Sequence, residues 1–218
     1  MSTVNNETLR DRLGRDRLAS YLQATSNHLP SALRLYEWNC SVSGAMFELL
    51  GHVEITVRNA LHDKLTSWCS EKGVPGHWFD NGHGLLLPQA MSDIEKAKLR
   101  LVRAGKPITP SAVVSELNFG FWRFLLTKRY RTTLWPAIGH KAFPNLESKD
   151  PTRFFQRIGR LHELRNRVAH HEPLHWRHLD RDFTDCLMAI RSVCTDTEHW
   201  ARDLSRVEYV LSQRPPLP

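Results

Sequence analysis

Between Ser31 and Trp68 the chain reads SALRLYEWNCSVSGAMFELLGHVEITVRNALHDKLTSW, with Leu33, Tyr36, Phe47, Leu50, Val53, Val57, Leu61 and Leu65 falling on three- and four-residue steps. A strand turns a side chain to the same face every second residue, so a pattern of this period and length can only be laid on a helix. The expectation is one long helix, or two broken near Ser43 and Gly44. Such a rod presents a long apolar stripe, and the remaining segments must supply the elements that cover it.

Those segments also read as helices. Leu9, Leu13, Leu18 and Leu22 share a face between Thr8 and Gln23, and Ser92 to Arg103 forms a basic helix. Thr109-Pro110 offers an N-cap and a first-turn proline to SAVVSELNFGFWRFLL. Asp150-Pro151 repeats the device before TRFFQRIGRLHELRNRVAHH, which Pro173 should close, and two helices follow at about Asp180 to Val193 and Asp196 to Leu211. Between Cys69 and Pro88, EKGVPGHWFDNGHG has the chemistry of a long loop. It is no linker, because Trp78, Phe79 and Leu85 to Leu87 need burial. Strand alternation is weak throughout, and there is no internal repeat. The fold class expected is all-α: a helical bundle with additional helices and a long Gly/Pro-containing loop. Its parts would be an N-terminal helical extension at residues 1–30, the main domain at 31–212 and a disordered tail at 213–218.

Thirty Lys and Arg against 23 Asp and Glu give a net charge of +7, with twelve histidines in reserve. That balance favours a polyanionic partner, since each neutralised phosphate releases counterions. The four cysteines, Cys40, Cys69, Cys186 and Cys194, form no CxxC pair and read as core fillers of a reduced interior. The charged N-terminus lacks the apolar run of a secretion signal, and no segment approaches the roughly 20 apolar residues that span a bilayer. A cytoplasmic protein without membrane association is expected.

The chemically densest stretch is HELRNRVAHHEP, from His162 to Pro173. At roughly 100° per residue, Ile158, Leu161, Leu164 and Val168 form the core-facing stripe of its helix. His162, Asn166 and His170 form a row at i, i+4 and i+8, and Arg165 lies between row and stripe. Arg165 and His170 are offset by roughly 140° on the wheel, a gap a long side chain can bridge. Cleavage of RNA by its own 2′-hydroxyl calls for such groups. An imidazole exchanges protons near neutrality, a guanidinium fork fits a phosphate, and an amide orients either partner. With arginine carrying the charge no metal or other cofactor is needed. On spacing alone, a solvated amphipathic helix with histidines at its negative pole explains the stretch more simply.

RNRVAH in this helical setting resembles the motif of the HEPN superfamily, in which an arginine is followed four to six residues later by histidine and a polar residue often succeeds the arginine. RNRVAHHEP is similar to the ending typical of Abi-like (abortive infection) proteins. LYEWNCSVSGAMFELLGHVEITVRNAL (Leu35 to Leu61), SELNFGFWRFLL (Ser115 to Leu126) and TLWP (Thr133 to Pro136) carry the same resemblance in order, so that it extends from about Leu33 to His175. It implies a HEPN-type bundle, usually a homodimer, in which two copies of the motif build a composite metal-independent endoribonuclease site. The biological role implied is phage defence or toxicity, with an antitoxin or phage-derived trigger as a further partner. Arg165, Asn166 and His170 match the catalytic positions, and the doubled His170-His171 leaves a one-residue register alternative. The alternative function is a non-catalytic HEPN module that binds RNA or a protein.

Other constellations are candidates for support or for RNA binding. Glu54, Arg58 and Asn59 fall in VEITVRNAL, where Glu54 to Arg58 is a favourable i, i+4 pair; a second Arg-Asn pair lining the same cleft is the functional alternative. His162 and His171 complete this set. His170, His171, His175 and His178 have metal-like spacing, but Pro173 interrupts them, so no metal site is assigned. Two basic runs, Lys96, Lys98, Arg100, Arg103 and Lys106, and Arg123, Lys128, Arg129 and Arg131, compete as guides for an RNA backbone. Phe119, Phe121, Trp122, Phe124, Trp38 and Trp135 read as core.

Overall fold

In a computed structural model of the chain, which describes residues 5–81, 84–148 and 150–217, the apolar period of the longest segment becomes a single unbroken helix. We number the helices α1 (Asn6–Leu13), α2 (Arg15–Ala24), α3 (Leu29–Glu71), α4 (Pro88–Arg103), α5 (Pro110–Glu116), α6 (Phe119–Leu125), α7 (His140–Ala142), α8 (Thr152–Ala169), α9 (Leu179–Arg191), α10 (Thr195–Leu204) and α11 (Val207–Ser212). No strand occurs among the described residues, so the protein is all-α. No helix among them is long and apolar enough to cross a membrane.

With 43 residues, α3 is a rod about 65 Å long, and α2, α6, α8, α9 and α11 pack along it. Val53, Val57, Leu61 and Leu65 are buried as the period requires, whereas Phe47 stays 52% exposed. It lies about 100° around the helix from Met46, and Met46 with Leu50 takes the core-facing place. Leu18 and Tyr21 of α2 are completely buried against this core, as are Trp78 and Trp122. Trp38, Trp135, Phe119 and Phe121 are core residues too, and Phe124 packs at its edge.

Where the sequence predicts one helix the fold three times makes two, each at a residue that diverts the backbone. Gly14, at φ 91°, separates α1 from α2. Leu117 is extended, and Asn118 Oδ1 accepts from Phe121 N–H (3.0 Å) to restart the chain as α6. Ser205 is extended, and its Oγ accepts from Val207 N–H (3.3 Å) between α10 and α11. Side chains of this kind offer the backbone a local partner that competes with helix propagation.

The Gly- and Pro-rich segment after α3 is a folded loop, apart from residues 82 and 83, which lie outside the described residues. A 3₁₀ turn at Trp78–Asp80 buries Trp78 and Phe79. Asn81 closes the loop by accepting from Leu86 N–H (2.9 Å) and donating to Leu86 C=O (3.2 Å). Of the cysteines, Cys69 and Cys186 are core fillers; Cys40, inside α3, is exposed, and Cys194, the N-cap residue of α10, is half-exposed.

Gly139 sets a strict volume limit. A Cβ there would stand 2.4 Å from Cδ2 and Cε3 of the buried Trp135 indole. Gly139→Ala should therefore overpack the core and cost about 1–3 kcal/mol in chemical denaturation; an unchanged midpoint would show that the indole moves aside freely.

Candidate functional site

The stripe expected on α8 is buried: Ile158, Leu161, Leu164 and Val168 face the core. The two flanks of the helix then differ sharply. On one flank Arg157 Nε (2.9 Å) and Arg160 Nη2 (2.6 Å) grip the carboxylate of Asp185 on α9. Nearby, Arg177 forms a two-bonded pair with the buried Asp182. These bonds fix how α8 is rotated, and so fix what its other flank presents.

That other flank faces α3 and the start of α6. Glu54, on α3, faces the Phe119 backbone at the start of α6, and the charges of Arg165 and Arg58 act on it. Burial nevertheless pushes its carboxyl above the ordinary 4.5. His162 stands 6.0 Å from Phe119, ring to ring, and a Cβ on Gly120 would lie 3.2 Å from its Nε2. Burial first, then Arg123 and Arg165, hold the His162 imidazole below the usual 6.5. Three elements thus converge, with Glu54 and Arg58 from α3, Gly120 and Arg123 from α6, and His162 and Arg165 from α8. The expected Glu54–Arg58 ion pair is not formed; Arg58 Nε donates instead to Asn59 Oδ1 (3.3 Å), and Asn59 is exposed.

The half-buried arginines fall into two groups. Arg10, Arg157, Arg160, Arg167 and Arg177 each hold a carboxylate. Arg58, Arg123 and Arg165 are equally half-buried, yet among the described residues none forms an ion pair. All three belong to the α3/α6/α8 seam.

His170 and His171 occupy different structural positions at the end of α8. His170 is the C-cap, exposed, and no hydrogen bond joins its ring to Arg165. His171 is left-handed (φ 55°). Its N–H bonds to Val168 C=O (3.0 Å) and Glu172 N–H to Arg167 C=O (2.8 Å), the paired closure of a Schellman stop. The helix thus ends at this closure, ahead of Pro173. The His171 carbonyl accepts from Arg17, and the residue lines a cavity of about 730 Å³ with Arg17, Tyr36, Cys40 and Phe47. Glycine suits a left-handed position better than an L side chain. His171→Gly should therefore raise stability by about 0.5–1 kcal/mol, read as a higher Tm; a lower Tm would assign the imidazole a packing role.

The remaining predicted groups separate. Asn166 is half-buried beside Arg165 in sequence, and its side chain makes no hydrogen bond among the described residues. His175 turns inward, 4.9 Å from the Tyr21 ring and 3.4 Å from Ser20 Oγ, while His178 is exposed at the start of α9. The α4 basic run is largely neutralised, with Lys96 on Asp93, Lys98 on Asp80 and Glu95, and Arg100 on Glu116. Of the second run, Arg131 meets Asp150 (3.3 Å) and Arg123 enters the seam.

Sequence reasoning did not single out His62, whose Nδ1 accepts from Trp78 Nε1–H (2.9 Å) and which feels Arg58. The signal was present, since Glu54, Arg58 and His62 recur at i, i+4 and i+8. Comparison of the chain with protein-family models, with curated proteins and with solved structures gave no match.

Proposed function

We propose that the protein is a metal-independent endoribonuclease of the Abi-like HEPN type. The observation that carries this reading is Arg165, a half-buried guanidinium without an ion-pair partner among the described residues, on the same helix as Asn166 and His170. A permanently charged fork left without a paired carboxylate is suited to a phosphodiester. In the proposed reaction the 2′-hydroxyl loses its proton to an imidazole and its oxygen attacks phosphorus. The P–O5′ bond breaks, and the 5′-oxygen takes a proton. The products are a 2′,3′-cyclic phosphate and a 5′-hydroxyl. Arg165 stabilises the charge on the crowded phosphoryl group, Asn166 orients, and His170 is the proton-exchanging group.

The exposure of His170 at its helix end favours a homodimer, in which this imidazole approaches the Arg165 of a second copy. Cytoplasmic phage defence or toxicity, restrained by an antitoxin or released by a phage-derived trigger, is the corresponding biological role. The same exposure also favours a second reading, a module that binds RNA or a protein partner without cutting. Incubating the purified chain with RNA and excess chelator separates the two. The nuclease reading expects cyclic-phosphate ends that disappear with His170→Ala and Arg165→Ala. Intact RNA at high protein concentration, with binding that weakens as salt rises, would establish the module instead.

A further inference from the structure

We infer that Arg58, Arg123, Arg165 and His162 form a phosphate site complete within one chain, in which His162 exchanges a proton with the bound anion. The inference takes from the proposed function only the source of the phosphate, an RNA backbone.

The arginines are the starting point. Elsewhere in the fold a half-buried arginine is matched by a carboxylate; here Arg58 and Arg165 have only the carboxylate of Glu54 between them, and Arg123 forms no ion pair among the described residues. Arg58 and Arg165 act on Glu54, and Arg165 and Arg123 act on His162, so the charges occupy one neighbourhood. Like charges brought together in a partly desolvated seam cost free energy unless an anion is among them. A phosphate accepts several forked donors at once, which a single carboxylate cannot do for three arginines.

His162 completes the arrangement. Its ring makes no hydrogen bond among the described residues, and the missing Cβ of Gly120 leaves its Nε2 uncrowded. The charged groups that act on it are Arg123 from α6 and Arg165 from α8, and Arg165 in turn faces Glu54, beside Arg58, on α3. By themselves the arginines disfavour a further positive charge. An anion seated among them reverses that field, and the imidazole then takes up a proton and donates it to a phosphate oxygen. His170, exposed at the far end of the helix, lies outside this set.

The test follows the His162 ring resonances of the full chain by NMR against pH, assigned by their loss in His162→Gln. One arm adds inorganic phosphate, and the other a 2′-deoxy dinucleotide phosphodiester, which has no internal nucleophile. The expected result is an upward move of the His162 midpoint with the diester, and affinity weakened about ten- to a hundred-fold in Arg123→Ala but not in the exposed Arg153→Ala. A shift with inorganic phosphate alone would overturn the backbone assignment. An unmoved midpoint, or Arg123→Ala binding as well as wild type, would overturn the site. Because neither probe is cleaved, the site stands if RNA proves uncut while His162 responds, and falls if RNA is cut while His162 is silent.

Discussion

Arg165→Ala is expected to lower RNA cleavage about 10²–10³-fold, the scale set by removing one pre-positioned donor to a developing oxyanion, while leaving the fold essentially as stable as before. The two halves of that expectation have one cause. Arg165 has no ion-pair partner among the described residues, so its removal breaks no salt bridge and relieves its repulsion from Arg123 and Arg58. The one group that loses support is Glu54, whose carboxyl burial already raises above 4.5 and Arg165 helps to lower. Since the raised group is an acid, its burial disfavours the folded state once it must ionise. Any deficit in the mutant should thus appear as pH rises through the Glu54 titration and vanish below 4.5, where the carboxyl is neutral in both states. Denaturation midpoints on either side of that range, alongside cleavage rates, check both halves. A mutant that cuts RNA at the wild-type rate ends the assignment of Arg165.

Asp185→Ala should do the opposite, costing stability first and activity only as a consequence. Asp185 is 5% exposed and holds Arg157 and Arg160 of α8 at 2.9 and 2.6 Å. Its loss strands two guanidinium groups whose side chains are 18% and 29% exposed, so water reaches them in part. We expect the low end of the range for breaking a buried pair, about 3 kcal/mol. In a chain of this size that is a fall in Tm of about 6–12 °C. Asp185→Asn keeps hydrogen-bond acceptance and should lose less. A Tm within 1 °C of wild type, roughly the shift from a few tenths of a kcal/mol, would mean that α8 is oriented by its apolar stripe alone.

The stripe of α8 was legible because burial imposes a period, and the same holds for α3, where Val53, Val57, Leu61 and Leu65 are buried in sequence-predicted order. Helix stops were less legible. Pro173 drew attention, but the closure is made by His171 in a left-handed conformation that no residue type announces. Asn118 and Ser205 look like ordinary helix residues until their side chains are seen bonding the backbone of the next segment.

The candidate site divides the same way. His162, Asn166 and His170 share a row on the helical wheel, but the row alone does not bring them together: His162 enters the seam while His170 stops at an exposed end. Arg123, one of four basic residues in its run, is distinguished only by where α6 lands against α8.

The amino-acid order by itself determined that this chain is helical, which stripes are buried and where cationic groups concentrate, because each of these follows from local geometry and from the cost of hydrating apolar surface. Which arginines lack a carboxylate, and which histidine stands among them, was decided only by the packing of α3, α6 and α8. Pairing depends on distances between residues remote in sequence, and no local period encodes them.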